Sequence, residues 1–290
     1  MPIPAFIGAA LICAALFAGP DSTRARAVRQ PPSDSSSPAQ QSVRAEPDSG
    51  VVVGDEELLY EVSWTFVKLG TVRMKTLHIV RQDSIVRYSA AAYIDSYDGV
   101  PLVDLHAINY TDMDSAFTSR GARAFEKKEQ GWWGIRYLPT HTPEGVIVEE
   151  TWQSDLHSAP YKSNAIDTFS VDLARFEDSF SLVYFARAHA RTHETLTVPV
   201  AANGKLGSAT FTFADAKGSE SIDPVEYPVR VAQFDGKLDL EGIFGLTGDF
   251  KGWFSDDDAA VPIKAQLKVI LGNVNIELKS WTRKGWVPPR

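Results

Sequence analysis

The sequence predicts a mainly β protein: a strongly curved antiparallel sheet or half-open barrel with one covering helix, a two-sheet β-sandwich being the alternative. Three observations lead there. Runs in which apolar and polar residues alternate recur along the chain, and period two is the signature of half-buried strands. Gly, Asn, Asp and Pro signals separate these runs at hairpin spacing. A single segment, after Asp178, carries a helical period instead. A sheet of about a dozen strands curls or splits into two packed layers rather than staying flat.

The first strand alternates Leu58, Tyr60, Val62, Trp64 and Phe66 with Glu57, Leu59, Glu61, Ser63 and Thr65, which predicts three large aromatics on one face. Leu69-Gly70 turns the chain into a strand over 71–81, and Gln82-Asp83-Ser84 turns it again into 85–92. Further strands are predicted over 105–112, 116–128, 132–138, 146–152, 194–200, 205–214, 225–234 and 248–255. Pro199 and Pro228 suit strand ends or edges, because proline donates nothing to a ladder. Between the strands at 146–152 and 194–200, Asp178 is a good N-cap, and Phe180, Val183, Tyr184, Arg187 and Ala188 recur at helical spacing, predicting a helix over 179–190.

The last strands are the clearest. Ile263, Ala265, Leu267 and Val269 alternate with Lys264, Gln266 and Lys268, and after Gly272-Asn273 the residues Val274, Ile276 and Leu278 alternate with Asn275, Glu277 and Lys279. The acidic turn Asp256-Asp257-Asp258 joins 250–255 to 262–269 as an antiparallel hairpin whose inward face is Ile263, Ala265, Leu267 and Val269.

Both ends read differently from the middle. The apolar run 3–18 is too short to span a bilayer comfortably, and Ala25-Arg26-Ala27 offers a small-x-small cleavage site beyond it, so 1–27 reads as a signal peptide. Residues 28–50, with Pro31-Pro32 and a serine run, bury too little to offset ordering entropy and read as a disordered linker. A single β-rich domain over 51–284 and a tail over 285–290 complete the organisation. The expected location is outside the cytoplasm, in the periplasm or cell envelope. Lipoprotein anchoring through Cys13 is disfavoured, since Ile12 stands where a small residue is wanted and much of the apolar run follows the cysteine.

Charge and composition exclude several classes. With 29 basic and 37 acidic side chains the chain carries −8 at neutral pH, so no long-range field draws it to nucleic acid. Cys13 is the one cysteine and lies in the apolar run, leaving the domain no disulfide and no thiolate ligand. No Gly-x-Ser-x-Gly elbow, phosphate loop or dinucleotide fingerprint occurs. His189 and His193 would share a helix face, but without a third ligand they read as solvated helix-end histidines; His78, His106, His141 and His157 stand alone. Asp256-Asp257-Asp258 reads as a hairpin turn rather than a calcium loop. Glu149 and Glu150 point to opposite faces of a strand, as Trp132 and Trp133 must. No catalytic residue, metal ligand or cofactor site is predicted, and a non-enzymatic protein is expected.

Three segments carry a family resemblance: Gly54 through Trp64 with Leu69-Gly70-Thr71, Asp178 through Arg187, and the acidic-turn hairpin from Trp253 through Pro262. Together they resemble the bacterial exported family catalogued as domain of unknown function 3108, over most of 54–281. The resemblance implies an envelope protein of β-rich fold with no assigned activity. The stretch 116–168 departs from the family pattern, and its Trp132-Trp133 and Tyr161-Lys162-Ser163-Asn164 segments have no counterpart there.

The functional expectation is an exported envelope protein whose curved sheet takes a lipid-like or apolar ligand in a groove, with Tyr60, Trp64 and Phe66 among its lining. Such a groove needs about 300 to 1,000 Å³. A structural or partner-binding envelope protein is the alternative, and a hydrolase of envelope polymers has only scattered His, Asp and Glu behind it.

Overall fold

The computed structural model describes residues 50–82, 85–100, 103–141, 143–240, 246–269 and 272–290. The predicted signal peptide, Cys13, nearly all of the predicted linker and the Asp83-Ser84 turn lie outside the described residues. The strands are β1 (Glu57–Trp64), β2 (Val67–Gln82), β3 (Ile85–Ser96), β4 (His106–Asp114), β5 (Ser119–Lys128), β6 (Gly131–His141), β7 (Glu144–Gln153), β8 (Lys162–Phe169) and β9 (Glu177–Asp178). The helix α1 (Ser181–His189) follows, then β10 (Thr195–Ala202), β11 (Lys205–Glu220), β12 (Val229–Asp239), β13 (Leu246–Ser255), β14 (Pro262–Val269) and β15 (Asn273–Thr282).

All fifteen strands form one sheet in the order β8-β7-β6-β5-β4-β3-β2-β1-β15-β14-β13-β12-β11-β10-β9. Two meanders are joined where β1 pairs antiparallel with β15, Glu57 opposite Thr282 and Trp64 opposite Val274. Every other pairing is antiparallel too, except the short parallel contact of β9 with β10. The predicted single curved sheet is therefore formed, and the two-sheet sandwich is not.

This sheet rolls into a spiral whose ends overlap. In β10 the alternation sends Val198 and Val200 to the side packed by α1, while Ala201, with no exposed surface, joins a cluster with Trp133, Ile135, Tyr137, Val146 and Val148 of β6 and β7. The inner face of the outer strands thus covers the back of β10. The Gly204 N–H donates to the Tyr137 hydroxyl at 2.9 Å, and the Ser119 N–H of β5 donates to the Phe176 carbonyl at 3.1 Å. Asn203 and Gly204 carry φ of 52° and 71°, the two left-handed residues of a tight hairpin turn, which lets that turn tuck beneath Ile135 and Ile166.

Inside the roll lies α1, with Leu182, Tyr184, Ala186, Arg187 and His189 all buried. One core cluster packs Phe180 and Tyr184 against β1–β4, β14 and β15; another packs Leu182 and Ala186 against Val198, Phe211, Phe213, Phe234 and Phe254. Two of the aromatics lie over glycines on the neighbouring strand. Phe234 faces Gly252 and Phe250 faces Gly236 across the β12–β13 ladder, and a Cβ at either glycine would come within 2.2 Å of the ring. The rings fill the space those glycines leave, which allows the tight local bend.

The α1 start follows the predicted cap. Asp178 Oδ1 accepts from the Phe180 and Ser181 N–H groups at 2.8 and 3.0 Å, and Ser181 Oγ accepts from the Asp178 N–H at 2.9 Å. That is a reciprocal box with serine in the place usually held by glutamate. The helix runs over 181–189 rather than 179–190, with Phe180 as its N-cap and Ala190 as its C-cap. Residues beyond β15 are held to the body: Trp286 Nε1 donates to Asp257 at 2.8 Å, and the Pro289 carbonyl accepts from the Arg230 N–H at 2.8 Å.

Candidate functional site

The structure separates the three residues expected to line a groove. Tyr60, 3 % exposed, lies in the central core cluster, and Trp64 packs partly buried at its margin. Phe66 is 92 % exposed. The strand ends at Trp64, and Thr65, at φ 53°, turns the chain so that Phe66 leaves the face it was predicted to share. The concave side where a groove was expected is occupied by α1.

Two buried polar clusters hold the helix there. In the first, the Arg187 side chain has no exposed surface, and each of its three nitrogens donates to an acceptor. Nη1 donates to Glu56 Oε1 at 2.8 Å, Nη2 to the carbonyls of Val51 and Ala259 at 2.7 and 3.1 Å, and Nε to the Ala260 carbonyl at 3.2 Å. Arg283 approaches from the far end of the chain, donating to Glu56 and to the Gly50 carbonyl. Burial would push the Glu56 carboxyl up, but the Arg187 guanidinium, with Arg283 behind it, holds it below its ordinary value. The Tyr60 hydroxyl, buried nearby, has no partner among the described residues, and burial drives its pKa up.

The second cluster sits at the other end of α1. Asp178 Oδ2 accepts from Thr111 Oγ1 at 2.6 Å and Ser119 Oγ at 2.7 Å, so with the two cap bonds its acceptor positions are filled. Beside it Ser181 Oγ donates to Glu177 Oε2 at 2.5 Å. Burial pushes the Glu177 carboxyl well above the usual range, and the neighbouring Asp178 and Asp114 charges push the same way. Paired carboxylates and hydroxyls are the raw material of hydrolysis, but these bond one another inside the core.

Other motifs resolve into local structure. His189 is buried, with Nδ1 2.8 Å from the Phe185 carbonyl, which corrects its expected solvation. His193 lies past the helix end at φ 58°, so the two do not share a helix face. Each carboxylate of the acidic turn has its own partner: Asp256 meets Arg230 at 3.0 Å, Asp258 meets Arg191 at 2.6 Å, and Asp257 accepts from Ser255 Oγ at 2.7 Å. Among the described residues no group of three or more His, Cys, Asp or Glu is placed to hold a metal ion.

Of the cavities, a groove of about 300 Å³ is lined by Asp235, Asp249, Lys251, Gln266, Lys268 and Asn273. These side chains alternate with the inward set of β12–β15 and open on the outer, polar face, while Gly236 and the partly buried Phe250, which belong to the inward set, complete the lining. A pocket of about 20 Å³ under Val62, Leu69, Val72, Ile94 and Leu105 has room for about one water. Sequence reasoning missed the Arg187–Glu56–Arg283 cluster, whose members lie 131 and 227 positions apart. One signal was present: a guanidinium sitting within the apolar stripe of the predicted helix.

What the fold and its interior define is a spiral β protein wound round a buried, charge-anchored helix. No protein-family model matches the chain, and no curated protein does. Among solved structures it is similar to a β-barrel-like protein of domain of unknown function 1849 from Brucella abortus, with a TM-score of 0.52 and 8% identity, covering 80% of this chain and 98% of that one. At that identity the similarity shows the fold alone.

Proposed function

We propose that the protein is an exported, non-catalytic component of a bacterial cell envelope, related to the domain of unknown function 3108 family, that works by presenting its outer surface to a partner. The observation that carries this reading is the filled concave side, where α1 and its paired Arg187 occupy the place a carrier keeps open. Cross-linking in the native host, followed by fractionation and N-terminal sequencing, tests it. A chain cleaved near Val28 that captures an envelope protein is expected. An intact Met1 in the cytosol overturns the export part, and turnover of an envelope polymer by the purified chain overturns the rest.

A second reading, an apolar or lipid-like ligand, is favoured by one observation: Phe66 and Tyr97, in the β1–β2 and β3–β4 connections, are exposed aromatics on neighbouring turns. Lipid met there would need no internal cavity. Native mass spectrometry and lipid extraction of protein from its own host distinguish a molecule retained by the fold from none.

A further inference from the structure

We infer that the outer face of β4 to β6 is a docking surface on which two guanidiniums, Arg123 and Arg136, receive the carboxylates of an acidic segment in a partner protein. The inference rests on the partner-binding reading above and gives it a place and a chemistry. Ala122, Trp133, Ile135, Tyr137 and Val148 turn inward into one core cluster, so the residues that alternate with them, Arg123, Arg136 and Glu149, point outward. Arg123 stands directly opposite Arg136 across the β5–β6 ladder, and Arg136 directly opposite Glu149 across β6–β7. Opposed side chains start about 5 Å apart, where like charges destabilise a sheet.

Among the described residues only Glu149 pairs with either guanidinium, lying 3.3 Å from Arg136. Arg123 lies over the Tyr110 ring, 5.2 Å from its centroid. Neither guanidinium donates a hydrogen bond to a described residue, and Arg136 Nε is buried with no acceptor. By contrast Arg120, Arg187, Arg230 and Arg283 each donate to a carboxylate and to a carbonyl. The outer face of β14 and β15 is likewise satisfied, with Lys264 and Lys279 matched by Glu220, Glu277, Asp223 and Glu61. The Arg123 and Arg136 pair is therefore a place where the surface holds donors that its own carboxylates leave unused, and a partner's carboxylate complements it.

The pair also has a fixed floor. Phe125, 6% exposed, lies over Gly134, where a Cβ would come within 2.6 Å of its ring, and Tyr110 packs edge-on against Phe125 at 6.3 Å. Arg123 thus rests on a ring already held, which lowers the ordering cost of binding. Planar guanidiniums match the two oxygens of a carboxylate, and arginine with tyrosine is the composition of interface hot spots. A phosphate-dense surface fits less well. Glu149 flanks the pair, and Asp112, the next outward residue of β4 after Tyr110 and held by Ser89 Oγ at 2.5 Å, would also face its charges. A carboxylate reaching in singly needs only the two guanidiniums.

Fluorescence anisotropy of the full chain with a labelled hexaglutamate peptide tests the inference. Binding at low salt that weakens as salt rises is expected. Arg123→Gln and Arg136→Gln should each lower affinity about fivefold or more, the loss that marks a hot spot, while Arg191→Gln, the same charge change beside the acidic turn, should alter it less than about twofold. Arg123→Gln is also expected to keep or raise the denaturation midpoint, because it removes a like-charge contact. A lowered midpoint with unchanged affinity would make the pair a structural ladder and overturn the inference. Absence of binding, equal binding by the variant carrying both substitutions, or displacement of the peptide by inorganic phosphate at equal charge concentration overturns it as well. A dimer of the chain that the double variant loses puts a second copy on this face and overturns the occupant. If a partner cross-linked to the parent chain is retained by the double variant, the inference falls and the partner-binding reading stands.

Discussion

Arg187 is the residue on which the interior depends, since a guanidinium with no exposed surface is tolerable only while Glu56 and three carbonyls accept its protons. Glu56→Gln is expected to cost about 3–5 kcal/mol, the scale for breaking a buried pair from one side. Replacing both partners, Arg187→Met with Glu56→Leu, should cost clearly less, and chemical denaturation of the single and double variants checks the order. Glu177 makes the opposite prediction in pH. Its native pKa is raised by burial, so the folded state holds a proton the unfolded state releases above about pH 4.3. Its contribution is complete below that value and is lost as pH rises toward the native pKa. Glu177→Gln should therefore gain on the parent chain in urea midpoint as pH rises above about 4.3 toward the raised native pKa. A constant difference would mean that the carboxyl does not hold its proton. Glu56, lowered by Arg187, behaves with the other sign and weakens the fold only as pH falls below the ordinary carboxylate range.

At the scale of elements, the strands that could be read were those with one wet and one dry face. In β14, Ile263 and Leu267 are buried as their alternation predicts, while Ala265 is half-buried and the Val269 side chain lies outside the described residues. Leu267→Ala is expected to cost about 2–5 kcal/mol, the range for a buried leucine; an unchanged denaturation midpoint would mean the inward face is misassigned. β8 was not legible, and its surroundings say why. From Lys162 to Thr168 it is exposed on both faces, so no apolar period was ever selected into it. β9 is two residues long and leaves no period either. The helix was legible from its stripe and its Asp178 cap. The meaning of Arg187 within that stripe was not, because the partner that makes it tolerable lies 131 positions earlier.

Across the whole molecule, curvature and a single covering helix were readable from strand count and one helical period, but the overlap was not. Whether a curled sheet stops short, closes or passes its own edge depends on contacts such as Ala201 against Trp133 and Ile135, and those residues give no local sign of being neighbours. Side-chain packing seals most of this seam, with the Ser119 N–H to Phe176 carbonyl and Gly204 N–H to Tyr137 hydroxyl bonds beside it. The ladder never continues from β8 to β9, so the outer flap of β6 to β8 can lift from the back of β10 without breaking a backbone bond between strands. A roll sealed in this way breathes at its lip. Deuterium should enter the β8 amides orders of magnitude faster than those of β1 and β15, whose ladder lies mid-sheet and opens only when the fold is lost. Equal protection across these strands would show that the seam and the ladder come apart together.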